Sequence, residues 1–218
     1  MARRYGPRWA LSGLTLDLPA ATAVMLAGKN GAGKSTLLRI LATAIKPDRG
    51  TASIDGFDVV RDREDVRKIT ALLAHQTYLY ESLTARENLA VVADHLRRPR
   101  TRVGPALEQV GLASRADDPV AEFSAGMRKR LSFARLLLQE PRLALLDEPY
   151  GALDPPGFDL VDEVIASLRR GGATVVMATH HWERAAHICD SAVVLDEGRL
   201  IWQGAAADSL AHEPRWAS

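Results

Sequence analysis

A glycine-rich run, Gly28-Lys29-Asn30-Gly31-Ala32-Gly33-Lys34-Ser35-Thr36, fits the phosphate-loop pattern in full. The apolar residues Ala23–Leu26 before it have the composition of a buried strand, and Ser35–Ala44 after it has apolar positions at helical spacing. Small residues let phosphate oxygens approach the backbone closely, and successive N–H groups can then converge on the anion. The start of the following helix presents unpaired N–H groups to the same charge. The run therefore predicts a nucleotide phosphate site between a strand and a helix.

Two side chains of this loop have predicted roles. We expect Lys34 to reach the β- and γ-phosphates, and we expect the hydroxyl of Ser35 to bind Mg²⁺. The alternative is a glycine-rich turn without function. The strand before the loop and the helix after it argue against that alternative.

A second candidate element is an apolar strand, Leu143–Leu146, that runs into Asp147-Glu148-Pro149. Carboxylates at the carboxyl end of a parallel strand lie where ligands of open α/β sheets bind. We expect Asp147 to hold Mg²⁺ through water, and Glu148 to orient or deprotonate the water that attacks the γ-phosphate. Alone, this acidic pair could simply end a strand. Together with the phosphate loop it indicates nucleotide hydrolysis.

A second helix start, within Phe123-Ser124-Ala125-Gly126-Met127-Arg128-Lys129-Arg130, has the composition of another anion site. Ser124 is a candidate N-cap, and Gly126 permits close backbone approach. The simpler interpretation is a capped helix whose basic side chains face water. Because the chain already has a phosphate loop, a second anion site is explained if it serves the nucleotide held by another copy.

Strand-type runs alternate with helical patterns, which predicts an α/β fold with a mostly parallel sheet. Further strands are predicted at Ile69–Leu73 and Thr174–Ala178, with a closing hairpin of Ala192–Leu195 and Arg199–Trp202. By contrast, residues 82–139 have helical periodicity and no clear strand pattern. We expect a helical lobe inserted into an α/β core, with the arginine-rich residues 97–102 forming a solvated loop.

Composition limits the possible functions. The chain has 218 residues with 28 Lys plus Arg against 27 Asp plus Glu, a net charge of +1. Such a balanced chain is not expected to bind nucleic acid. The single cysteine excludes an internal disulfide and suits a reducing compartment. No run approaches the ~18–20 apolar residues of a spanning helix, so any membrane role would depend on a partner.

Taken together, four elements resemble the ATP-binding subunit of an ABC transporter. They are Gly28–Thr36, the signature Ser124-Ala125-Gly126, Leu143–Glu148, and His180 after a strand. The resemblance implies an α/β P-loop NTPase fold with a RecA-like core of the ABC type, an inserted α-helical subdomain and a small antiparallel β part. It implies one ATP-binding domain over residues 1–218, with the core at about 1–80 and 140–218 and the helical subdomain at about 81–139.

The resemblance also implies roles for single residues. Gln76 would contact Mg²⁺ and sense the γ-phosphate. His180 would hydrogen-bond the γ-phosphate as the switch histidine. Asp154, in Gly151-Ala152-Leu153-Asp154, would belong to the D-loop at a dimer interface. Tyr5 would stack on adenine, with Trp9 as the alternative aromatic.

The sequence departs from the family pattern in a few places. Met127 stands where the signature usually has glutamine, Ala125 where it often has glycine, and His181 where aspartate usually follows the switch histidine. Because the two expected phosphate contacts of the signature remain, we expect activity to survive. Tyr5 lies close to the first residue, so we also expect the family's first strand to be largely missing.

The function implied is ATP hydrolysis that powers transport. Two copies, identical or homologous, would bind two ATP molecules head to tail, each between the phosphate loop of one copy and the Ser124 helix of the other. Multi-span membrane permease subunits would be the partners. This places the protein in the cytoplasm, peripheral on the inner face of the cell membrane.

A narrower resemblance concerns one segment. Leu73–Leu89 is similar to the ATP-binding subunit of the haem exporter used in cytochrome c maturation. The alternatives are the ATPase of a different small-molecule exporter, a soluble ABC ATPase without a membrane partner, and a nucleotide-gated scaffold that does not hydrolyse ATP. The intact Lys34, Asp147 and Glu148 argue against the scaffold.

Overall fold

The computed structural model describes residues 1–210, which form a central sheet, two small hairpins and a set of helices. The strands are β1 (Arg3–Tyr5), β2 (Arg8–Leu11), β3 (Ala23–Ala27), β4 (Ser53–Ile54), β5 (Phe57–Asp58), β6 (Thr70–Leu73), β7 (Leu143–Asp147), β8 (Thr174–Ala178), β9 (Ser191–Asp196) and β10 (Arg199–Ala205). The helices are α1 (Lys34–Leu41), α2 (Arg63–Ile69), α3 (Ala85–His95), α4 (Val103–Gln109), α5 (Ala125–Gln139), α6 (Pro155–Arg170), α7 (Trp182–Ile188) and α8 (Ala206–Ser209).

The central sheet has six strands in the order β10-β9-β3-β8-β7-β6. All neighbours are parallel except β10, which pairs antiparallel with β9. Every residue of β3 and β7 is buried, because helices cover both faces of the sheet. Their continuous apolar sequences are typical of such strands. The predicted α/β fold is confirmed, and β1–β2 and β4–β5 supply its small antiparallel part.

The β9–β10 hairpin follows from its turn residues. Glu197 and Gly198 have φ angles of 44° and 76°. Two successive positive φ angles are characteristic of a tight turn whose twist matches that of the flanking strands. The predicted hairpin is therefore confirmed, with longer strands than the sequence indicated.

Between β6 and β7 the chain is helical, as the periodicity predicts. Within residues 82–139 there are three α-helices, short 3₁₀ turns and no strand beyond a single bridge between Thr84 and Pro119. Thr84 begins α3 with a complete capping box, in which its hydroxyl accepts from the Glu87 N–H and the Glu87 carboxylate accepts from the Thr84 N–H.

The arginine-rich loop is neutralised by ion pairs within the chain. Arg98 and Arg102 both pair with Glu140, and Arg100 pairs with Asp94. These contacts join the loop to α3 and to the residue that ends α5. The residues of the run are exposed or half-buried, as the solvated-loop interpretation predicts.

Element boundaries differ from the sequence predictions in two places. The predicted helix Ser35–Ala44 is α1, Lys34–Leu41, which ends where Thr43 adopts a left-handed φ of 57°. Ile69 belongs to the end of α2, so β6 begins one residue later than predicted. The family's first strand was predicted to be largely missing, and the structure begins with a three-residue strand, β1.

Candidate nucleotide site

The predicted phosphate-binding residues meet at one edge of the sheet. The carboxyl end of β3 leads into the phosphate loop, that of β7 carries Asp147, and that of β8 leads to His180. Because these strands are parallel neighbours, their ends lie side by side. Gln76 follows the carboxyl end of β6 at the same edge, since Leu73 pairs with Leu146 of β7.

The phosphate loop requires glycine where its backbone approaches other strands. Gly28 has φ 136° and Gly33 has φ 104°, values that L side chains rarely adopt. A Cβ on Gly28 would lie 2.1 Å from the carbonyl oxygen of Leu195, and one on Gly33 would lie 2.3 Å from that of Ala10. The loop is therefore packed between β9 and β2, which fixes the start of α1.

Lys34 lies within its own loop. Its side chain is largely buried, and Nζ donates hydrogen bonds to the carbonyl oxygens of Gly28 at 2.5 Å and Lys29 at 3.1 Å. Burial lowers the pKa of Lys34, and the nearby carboxylates of Glu148 and Asp147 counteract that shift. A partly desolvated ammonium in a loop of backbone N–H groups is suited to bind phosphate oxygens.

Ser35 and Asp147 form a pair of oxygen ligands. The Ser35 hydroxyl donates to Oδ1 of Asp147 at 3.0 Å, joining the start of α1 to the end of β7. Hydroxyl and carboxylate oxygens are the ligands that Mg²⁺ prefers, with the remaining positions filled by water and phosphate. Within residues 1–210 no three His, Cys, Asp or Glu side chains cluster for a metal. This donor set fits a magnesium ion that arrives with the nucleotide.

Glu148 and His180 face each other beside this pair. Nε2 of His180 lies 3.2 Å from Oε1 of Glu148, and the backbone N–H of His180 donates to Oε2 at 3.3 Å. The neighbouring His181 packs instead edge-on against the rings of Tyr150 and Phe158, at centroid distances of 5.2 and 4.9 Å. The structure thus brings His180, rather than His181, to the carboxylate.

Lys129 also contacts this edge, which the sequence analysis missed. The simpler interpretation of its segment had the basic side chains facing water, but Lys129 is only 4% exposed, and Nζ donates to the Glu148 carbonyl oxygen at 2.8 Å. Burial lowers the pKa of Lys129 to about 8, with Asp147 and Glu148 counteracting. Helical spacing could have indicated the burial, because Lys129 lies four positions before Phe133 and seven before Leu136, both in the core.

Tyr150 is a second residue the sequence analysis missed. It is fully buried, and its hydroxyl donates to Oδ1 of Asp162 at 2.8 Å. Arg184 pairs with Asp162 and lies over the rings of Tyr150 and Phe158. This cluster fixes the segment after Glu148 against α6 and α7.

The predicted partner-facing residues have contacts of their own. Ser124 is exposed and caps α5, accepting from the Met127 N–H at 3.2 Å. A Cβ on Gly126 would lie 3.1 Å from the carbonyl oxygen of Ala152, so the signature lies against the predicted D-loop. Asp154 caps α6 through the Gly157 N–H and lies 3.8 Å from Arg130.

The two candidate adenine-stacking residues lie on the β1–β2 hairpin. Tyr5 is 46% and Trp9 40% exposed. Because Arg4 pairs with Trp9 and Tyr5 with Arg8, the two aromatic side chains lie on opposite faces of the hairpin. Arginine guanidinium groups lie over both rings, Arg3 over Tyr5 and Arg4 with Arg49 over Trp9.

Comparison with known proteins identifies the family. The family model described as ABC transporter matches residues 11–151. The chain is 41% identical over 215 residues to the daunorubicin resistance ATP-binding protein DrrA3 of Streptomyces coeruleorubidus, covering 97% of this chain and 68% of that protein. It is 36% identical over 207 residues to the Nod factor export ATP-binding protein I of Burkholderia orbicola, covering 93% and 68%. The chain thus spans about two thirds of the length of these relatives.

Solved structures agree with this assignment. A dimer of the ATP-binding cassette MJ0796, in a post-hydrolysis state bound to ADP and Pi, superposes with a TM-score of 0.85 at 26% identity, covering 94% of this chain and 95% of that one. Over residues 1–210, no helix is long and apolar enough to cross a membrane. The chain belongs to the ABC transporter family, as an ATP-binding subunit that hydrolyses ATP.

Proposed function

We propose that this subunit powers export of a small molecule through a membrane permease, working as a dimer with two shared nucleotide sites. The observation that carries the proposal is the arrangement at the sheet edge, where Lys34, the Ser35–Asp147 pair and the Glu148–His180 pair converge within one chain. Support for export comes from the relatives, one named for daunorubicin resistance and one for Nod factor export.

Each residue of this edge has a role that its geometry permits. Lys34 and the loop N–H groups bind the phosphates, since the ammonium can exchange its carbonyl partners for phosphate oxygens. Ser35 and Asp147 hold Mg²⁺, which neutralises phosphate charge. Glu148 orients the attacking water and accepts its proton, and His180 contacts the γ-phosphate beside it.

The second half of each site comes from the other copy. Ser124 is exposed at the first turn of α5, where unpaired N–H groups can bind phosphate. Ser124 and Gly126 of one subunit close the site over the γ-phosphate bound by the other, and Asp154 lies at the same interface. Tyr5 stacks on adenine, and Gln76 senses the γ-phosphate and contacts Mg²⁺. A solved dimer of a related cassette is consistent with this assembly.

In transport, γ-phosphate contacts favour the closed dimer, and hydrolysis removes them. The segment after Gln76 transmits this motion to permease subunits at the inner face of the membrane. Export of haem stays a prediction from the segment Leu73–Leu89. The two relatives named above are not named for haem export, so they do not support it. Co-purification with the multi-span proteins encoded beside this chain tests both the permease and the cargo class.

The direct test of the site is Glu148→Gln. We expect this variant to bind MgATP normally, to lose at least about 100-fold in turnover because the general base is gone, and to elute as a dimer with MgATP. Glu163→Gln, an exposed glutamate on α6, is the control and should behave as wild type. Wild-type turnover in Glu148→Gln, or a variant that stays monomeric with MgATP, contradicts the proposal.

A further inference from the structure

Lys129 and the predicted hydrolytic carboxylate are joined by a direct contact. Lys129 lies in the first turns of α5, the helix that Ser124 caps, and its Nζ donates to the main-chain carbonyl oxygen of Glu148 at 2.8 Å. The contact therefore acts on the backbone of Glu148 and not on its carboxylate, which contacts His180.

The backbone of Glu148 is held in an unfavourable conformation. Its φ is 49°, in the left-handed region, where a non-glycine residue is disfavoured by sterics. Three hydrogen bonds oppose relaxation: the Glu148 N–H donates to Ala178, and the Glu148 carbonyl accepts from the Gly151 N–H at 3.2 Å and from Lys129. The bond from Lys129 is the one with a charged donor, the stronger class.

This backbone conformation determines where the carboxylate points. With φ at 49°, the Glu148 side chain reaches both the ring and the N–H of His180. A return to an ordinary φ would move the carboxylate away from His180. Small displacements of a catalytic group lower turnover strongly, because attack requires close alignment of the water.

We propose that Lys129 is a positioning residue that holds the Glu148 backbone in the conformation needed for hydrolysis. The proposal rests on the role of Glu148 in the proposed function. It differs from a packing role, since packing would support the fold equally whether residue 148 carries a carboxylate or an amide.

The test is a double-mutant cycle of Lys129→Met and Glu148→Gln. Methionine has similar length and lacks the donor. We expect Lys129→Met to lower kcat about tenfold while KM and MgATP affinity stay unchanged. In the Glu148→Gln background the same substitution should change the residual single-turnover rate less than about twofold, because the carboxylate it positions is already gone.

Two further variants separate loss of positioning from damage to the fold. Ser132→Ala removes another buried polar group from α5, whose hydroxyl donates to the carbonyl of Arg128, and should leave kcat unchanged. Lys129→Gln keeps an N–H donor without charge and should lose less turnover than Lys129→Met. If Lys129→Met does not fold, Lys129→Gln replaces it in the cycle.

The outcomes separate the two claims. Three results would overturn the positioning role. They are an unchanged kcat in Lys129→Met, an equal loss of rate from Lys129→Met with glutamate and with glutamine at position 148, and a loss of MgATP affinity that accounts for the lower rate. Wild-type turnover in Glu148→Gln overturns the proposed role of Glu148 itself. A large loss in Glu148→Gln beside wild-type turnover in Lys129→Met overturns only the positioning role.

Discussion

The phosphate-binding edge and the helical lobe use their polar groups in opposite ways. At the edge (the loop Gly28–Ser35 with Asp147, Glu148 and His180), hydrogen bonds join Ser35 to Asp147 and Glu148 to His180, and hold Lys34 within its own loop. In the lobe (α3 to α5), polar side chains cap helices, pair with opposite charges or satisfy backbone groups. The edge thus organises charge before nucleotide arrives, and the lobe organises its own structure.

This contrast predicts that substitutions in the two regions affect different properties, nucleotide binding at the edge and folding stability in the lobe. Substitutions at the edge should remove the proposed ligand contacts and relieve unfavourable burial of charge. Substitutions in the lobe leave buried polar groups without their hydrogen-bond partners, and no ligand replaces those partners. Affinity for nucleotide should therefore respond to the edge, and the free energy of unfolding should respond to the lobe.

The largest effect is expected for Lys34→Ala. Loss of a charged donor on the phosphate oxygens should weaken MgATP binding roughly 100-fold. The free energy of unfolding without nucleotide should hold or rise, because burial lowers the pKa of Lys34 and so disfavours its charged form. Calorimetric titration and thermal unfolding measure the two quantities. Lys68→Ala, at an exposed lysine, is the control. If Lys34→Ala binds MgATP as tightly as wild type, Lys34 does not bind the phosphates.

Much of the edge could be predicted from the sequence because its information is local. A phosphate loop needs glycines and a lysine at fixed spacing, and a buried strand followed by acidic residues needs only a few neighbours. The parallel sheet then brings Gly28, Asp147 and His180 together, since the carboxyl ends of adjacent strands coincide.

Contacts that depend on tertiary packing could not be predicted in the same way. Glu148 has a left-handed φ, and its carbonyl accepts from Lys129, 19 residues earlier in the chain. Both features depend on how α5 packs against the end of β7. The sequence could not separate His180 from His181 by residue type. That distinction depends on Tyr150 and Phe158, whose rings hold His181 away from Glu148.

The next largest effect, in the lobe, is expected for Asn88→Ala. The Asn88 carboxamide is buried, accepts from the Tyr80 N–H at 2.8 Å, and donates to carbonyl oxygens of Tyr80 and Thr84 at 2.9 Å. Removing it leaves the Tyr80 N–H without its partner, while the two carbonyl oxygens keep only their backbone donors, Leu83 N–H and Asn88 N–H. The unfolding free energy should therefore fall by about 2 kcal/mol. MgATP affinity should stay unchanged.

Urea unfolding of Asn88→Ala, with the exposed Val91→Ala on the same helix as control, measures that loss. A large drop in MgATP affinity in the folded Asn88→Ala protein would show that the lobe contributes to the phosphate edge of its own chain. That result would break the separation between the two regions.

The smallest effect, at Ser124, tests a lobe side chain that is proposed to bind nucleotide. Ser124→Ala removes the α5 cap and should cost about 1 kcal/mol of stability, as should Thr84→Ala at the α3 cap. The two variants are matched in stability and differ in function. Turnover should fall in Ser124→Ala, because its hydroxyl serves the partner's nucleotide, and should stay at the wild-type rate in Thr84→Ala.

Replacing Ser124 by asparagine separates capping from phosphate binding. Asparagine caps helices as well as serine does, so Ser124→Asn should recover the lost stability. It places a larger carboxamide where the hydroxyl faced the partner. Turnover of Ser124→Asn should therefore remain below that of wild type. In the Glu148→Gln background, MgATP-dependent dimerisation should be weaker with asparagine than with serine at position 124. If Ser124→Asn restores turnover together with stability, the Ser124 hydroxyl acts only as a helix cap.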